Sequence, residues 1–142
     1  MGSPELDGVL LGNGDTWRYT TSLYLPSSTS ALSTGTQRYI VRAGFIDAQG
    51  ADGNDGCFLK YSDDVNGGEW QGVCVDGGTP STCDTNVAVA LDTWYKLRVV
   101  VNSAGNSTDF IINGTSTCQI TTNIPTGAGE ITGWGSMLNK TV

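Results

Sequence analysis

The chain has 142 residues, 38% hydrophobic and 15% charged, with 14 acidic side chains against seven basic ones for a net charge of −7, and it contains no histidine. The acidic balance, with no two of the seven cations adjacent, argues against nucleic acid and anionic membrane surfaces, which need clustered Lys and Arg. Missing histidine removes Ser-His-Asp and Cys-His catalysis, and no apolar run approaches the ~18 residues of a membrane helix.

The length suits one domain, taken here as residues 1–142. Residues 1–8, opening Met1-Gly2-Ser3-Pro4, lack the basic-then-apolar pattern of a signal peptide and read as flexible or as an expression leader. Thr16 to Leu25 alternates over a strand and stops at Pro26, and Ser27 to Gly35 is a Ser/Thr-rich loop. Gln37 to Ile46 is a second strand, followed by the Gly/Asp loop Asp47 to Gly56. Gly56 to Tyr61, Trp70 to Val75, Thr82 to Leu91 and Trp94 to Val101 continue the series. Asp109 to Ile112 runs into Asn113-Gly114, a type I′ hairpin signal, with Ser116 to Thr122 as its partner. Short alternating runs with frequent turn signals predict an all-β, two-sheet antiparallel β-sandwich.

The four cysteines are Cys57, Cys74, Cys83 and Cys118, an even count without Cys-x-x-Cys spacing. This favours disulfides formed in an oxidising compartment over a zinc site. Cys57 and Cys74 are symmetric about the loop Asp63 to Gly68, and Cys74 and Cys83 about Gly77 to Pro80. The shorter loop favours Cys74–Cys83, which leaves Cys57–Cys118, although four cysteines allow three pairings.

Trp94-Tyr95-Lys96-Leu97-Arg98-Val99-Val100-Val101-Asn102, then Asp109 to Gly114, then Thr121-Thr122-Asn123-Ile124-Pro125 resembles the back half of a concanavalin A-like (laminin G-like) jelly roll. The layout is also similar to domains of tailed-bacteriophage structural proteins, either tail fibres or capsid-decoration proteins. The resemblance covers about Arg18 to Pro125. It implies a non-catalytic virion structural module at the virion surface or in the extracellular space. Its partners would be other virion proteins or copies of itself, with adhesion to a host-surface or mucosal glycan as an added role. The alternative is a carbohydrate-binding module or lectin domain of a secreted enzyme or adhesin. The fold pattern asks for one more strand near the C-terminus, supplied either by Glu130 to Val142 or by another chain.

Glycosidases of this fold set their carboxylates on one strand as Glu-x-Asp-x-x-Glu, and that arrangement is absent, which points away from an enzyme. For sugar binding, Trp70, Trp134 and Trp17 are the candidate stacking platforms. Trp134, between Gly133 and Gly135, is the one expected to be most exposed, and Trp94 is expected in the core. No cofactor is required; Ca2+ is the one candidate, with Asp47, Asp52, Asn54 and Asp55 as oxygen ligands on a Gly-rich loop. The competing reading of those four residues is an ordinary solvated turn.

Overall fold

The structure, a computed structural model, describes residues 8–27, 38–48, 51–63 and 66–141. The expectation for residues 1–8 lies outside the described residues except at Gly8, as does most of the Ser27–Gly35 loop.

Ten strands form among the described residues, in chain order: β1 (Val9–Leu10), β2 (Trp17–Leu25), β3 (Arg38–Ile46), β4 (Gly56–Ser62), β5 (Glu69–Asp76), β6 (Thr79–Ala88), β7 (Thr93–Val101), β8 (Thr108–Ile112), β9 (Thr115–Ile120) and β10 (Ile131–Thr141). They make a six-stranded sheet, β1-β10-β3-β4-β5-β6, and a four-stranded sheet, β2-β7-β8-β9. Every described pairing is antiparallel. The chain is thus the two-sheet jelly-roll sandwich expected from its alternation. No helix among the described residues is long and apolar enough to cross a membrane.

Period-2 patterning sets which side chains meet between the sheets. On β7, Tyr95, Leu97, Val99 and Val101 are buried while Trp94 and Lys96 face solvent. On β8, Thr108, Phe110 and Ile112 point inward. Against them the larger sheet sets Val41, Ala43, Phe45, Leu59, Tyr61 and Trp70. Gly72 belongs to the same inner face. A Cβ there would lie 2.5 Å from the Phe110 ring and 2.8 Å from the Cys83 sulfur, so only glycine lets the sheets close at this point. Asn113 and Gly114 both take positive φ, 52° and 87°, as the type I′ turn between β8 and β9 demands.

The outer face of the larger sheet carries a second apolar cluster, Ile46, Phe58, Val73 and Val75, with Met137 packed against it. Residues 51–55 fold back across this face. Asp52 pins the loop there, taking Arg42 Nε at 2.7 Å and Lys60 Nζ at 2.6 Å, and the Asn54 carbonyl accepts the Gly78 N–H at 2.8 Å. β4 is consequently buried on both faces, which explains its unbroken apolar run Cys57-Phe58-Leu59.

Two expectations are corrected, and a third, left open, is decided. The disulfides are Cys57–Cys74 and Cys83–Cys118, not Cys74–Cys83 and Cys57–Cys118. Cys57 stands directly opposite Cys74 on neighbouring strands, whereas Cys74 stands opposite Ser81. Cys83 reaches across the sandwich to β9, tying the outermost strands of the two sheets together. Trp94 is not core but 65% exposed, because the buried parity of β7 begins at Tyr95. The late strand that the fold asks for is supplied by the chain itself: β10 pairs with β3 over nine residues, from Gly133–Ile46 to Thr141–Arg38.

Candidate functional site

Among the described residues β10 is flanked by β1 only at Ile131 and Thr132, so beyond them it runs as an edge of the larger sheet. By register Trp134 and Leu138 share the core-facing side with Phe45 and Val41. The smaller sheet ends at β2 among the described residues and does not cover them. Trp134 stays 63% exposed and Leu138 57%. At the middle of this overhang the Tyr19 hydroxyl and Ser136 Oγ are hydrogen-bonded at 2.8 Å, which fixes β10 against β2.

Along this edge lies an open trough of about 520 Å³ lined by Ile46, Asp47, Ala48, Gly133, Trp134, Gly135, Ser136 and Met137. Trp134, expected as a stacking surface, and Asp47, expected as a calcium ligand, border one cavity here. Ile46, Ser136 and Met137 were missed, since only the pairing of β10 with β3 brings them together.

The other two tryptophans do not serve as platforms. Trp70 is fully buried, ringed by Tyr61 at 5.8 Å and Tyr95 at 5.6 Å. Its place on the inner face, in line with Gly72 and Cys74, puts it in the core. Trp17 is half-buried against the core, and its indole N–H donates to Asn13 Oδ1 at 3.2 Å.

The expected calcium loop does not assemble. Asp52 is turned toward Arg42 and Lys60, Asp47 accepts the Asn54 N–H at 3.1 Å, and Asp55 accepts the Gly77 N–H at 2.9 Å. Of the four, only Asp55 meets other carboxylates, those of Asp76 and Glu130, with oxygens within 4.8 Å of one another. Nothing in sequence spacing marks these three, which come from the β3–β4 loop, the end of β5 and the approach to β10. Oxygen donors of this kind suit a hard cation. On their own they repel: burial, together with Glu130 and Asp55 beside it, raises the Asp76 carboxyl above its ordinary value of 3.8.

A stability consequence follows. Above 3.8 the unfolded chain releases a proton that folded Asp76 still holds. Native protein then binds more protons than unfolded protein, so this group's contribution falls as pH rises through the raised value. Asp76→Asn is expected to melt above the wild type at about pH 7 and to lose that advantage by about pH 3, as thermal melts at both values would show.

Comparison with known proteins supports this architecture. A carbohydrate-binding module of Bacillus subtilis, CBM66, superposes with a TM-score of 0.51 at 8% identity over 89% of this chain, which spans 66% of that module. Sheep galectin-11 gives 0.53 at 17% identity over 100% of this chain and 96% of its own. Caenorhabditis elegans galectin LEC-6 gives 0.53 at 14%, over 94% and 84%. At these identities the likeness is one of fold. No curated protein matches by sequence. The family model for the SO2946-like, C-terminal domain matches residues 14–142, so the chain belongs to the SO2946-like C-terminal domain family.

Proposed function

We propose that this domain is a non-catalytic carbohydrate-binding module of an extracellular protein, seating a pyranose ring against Trp134. The observation that carries the reading is an exposed indole set beside a trough of about 520 Å³ whose rim holds the Asp47 carboxylate and the Ser136 hydroxyl. A flat aromatic face suits the C–H face of a sugar, and a few oriented oxygens suit its hydroxyls. The lectin-like fold and the two disulfides favour the same reading, since such bridges persist outside the reducing cytosol. The expectation of a virion structural module draws nothing from these similarities; they favour glycan binding, its alternative.

A glycan array probed with the purified domain tests this. Trp134→Ala is expected to weaken binding at least tenfold, about 1.4 kcal/mol, with Trp134→Phe intermediate and both variants as stable as the wild type. Binding should persist in a chelator, because Asp47, Asp52, Asn54 and Asp55 form no shared ligand set. Unchanged binding by Trp134→Ala would remove the site from this trough.

A further inference from the structure

The outer face of the smaller sheet, remote from Trp134, carries a second constellation. Tyr24 and Trp94 stand opposite each other on β2 and β7, rings 5.4 Å apart, and are 39% and 65% exposed. Asp92 holds this pair in place: its Oδ1 accepts the Tyr24 hydroxyl at 3.3 Å and the Ser27 N–H at 2.8 Å. Alternation then brings Lys96 and Arg98 outward on β7 in steps of about 7 Å from Trp94, opposite Ser22 and Thr20. Arg18 follows one step further on β2. Between Lys96 and Arg98, with Ile111 and Gly114, lies a dimple of about 50 Å³.

The distribution of charge makes this face unusual for an acidic protein. Five cationic side chains are described. Two, Arg42 and Lys60 on the larger sheet, share the Asp52 carboxylate. The other three, Arg18, Lys96 and Arg98, all lie on this face and form no ion pair among the described residues. Arg98 spends one N–H on Thr20 Oγ1, at 3.3 Å, leaving the rest of its fork unassigned. Of the acids nearby, Asp92 holds Tyr24, and Asp109 accepts the Gln119 amide at 2.9 Å.

We propose that this face is a second binding site, for a polysaccharide bearing carboxylates, with Trp94 and Tyr24 under a sugar ring and Lys96 and Arg98 on its acid groups. A planar guanidinium matches a carboxylate in two parallel hydrogen bonds, and an ammonium adds a point charge. The ring pair supplies the apolar contact that simple charge attraction lacks.

Affinity electrophoresis in gels containing polygalacturonate, dextran sulfate or dextran tests the proposal with the intact domain. Retardation is expected in polygalacturonate, weaker in dextran sulfate and absent in dextran, and it should fall steeply with salt. Trp94→Ala and the double variant Lys96→Gln/Arg98→Gln should each reduce polygalacturonate affinity about tenfold or more, while Trp134→Ala leaves it unchanged. These positions are on the surface, so the variants should keep wild-type melting temperatures. Equal retardation in dextran sulfate, an unaffected Trp94→Ala, or no retardation by polygalacturonate would each overturn the proposal. Loss of neutral-glycan binding in Trp134→Ala would leave it standing, so the two sites fail separately.

Discussion

Trp70→Ala is expected to destabilise the domain by about 3–5 kcal/mol, a large part of the whole stability of a protein this size. The indole is fully buried between Tyr61 and Tyr95, so its removal leaves a cavity lined by rigid rings that cannot collapse into it. Trp70→Phe should cost much less. It keeps a ring in the stack and deletes the indole N–H, which has no hydrogen-bond partner, so no satisfied donor is lost. Urea denaturation of the three proteins, read at the midpoint with constant slope, gives the comparison. A Trp70→Ala variant with wild-type stability and lost glycan binding would return Trp70 to the role of a sugar platform.

The second large effect concerns Cys83–Cys118. Replacing both cysteines by serine is expected to cost about 3–4 kcal/mol and lower the melting temperature by roughly 10 °C. The bridge spans 35 residues of sequence and is the covalent link between the two sheets. Cys57–Cys74, spanning 17 residues, joins strands that the backbone ladder already pairs, so it constrains the unfolded chain less. Melts of the serine variant with and without reductant would separate the two contributions. A variant as stable as the oxidised wild type would mean that packing alone holds the sheets together.

The strands were legible because their alternation is local. β7 and the β8–β9 hairpin carry burial and turn chemistry within a few residues, and structure and expectation agree there to within one residue at most ends. The cysteine pairing was half legible. Cys57 and Cys74 are symmetric about their loop, and they do pair. The rival symmetry failed because the β5–β6 turn centres on Gly77 and Gly78, which puts Ser81 rather than Cys83 across from Cys74. β10 was hard to read for a different reason: Gly133 and Gly135 interrupt its pattern, and Trp134 and Leu138 remain exposed on a side that is core elsewhere. Parity without a known partner strand could not place Trp70 inside or Trp94 outside. Nor could spacing foresee Asp55, Asp76 and Glu130, since a cluster gathered from three separate parts of the chain has no sequence period.

The staple between β6 and β9 also divides the molecule mechanically. On that side the two sheets are bound like the pages of a book at its spine. At the opposite margin the Tyr19–Ser136 hydrogen bond joins β2 to β10, and edge-to-face contact of Tyr19 with Phe45 joins β2 to β3. Partial opening is therefore expected to begin there, with the amides of β2 and β10 exchanging with solvent before those beside the spine. Trp134 sits on that yielding margin. A sugar bridging its indole and Asp47 would act as a clasp, tightening the part of the sandwich that neither disulfide secures.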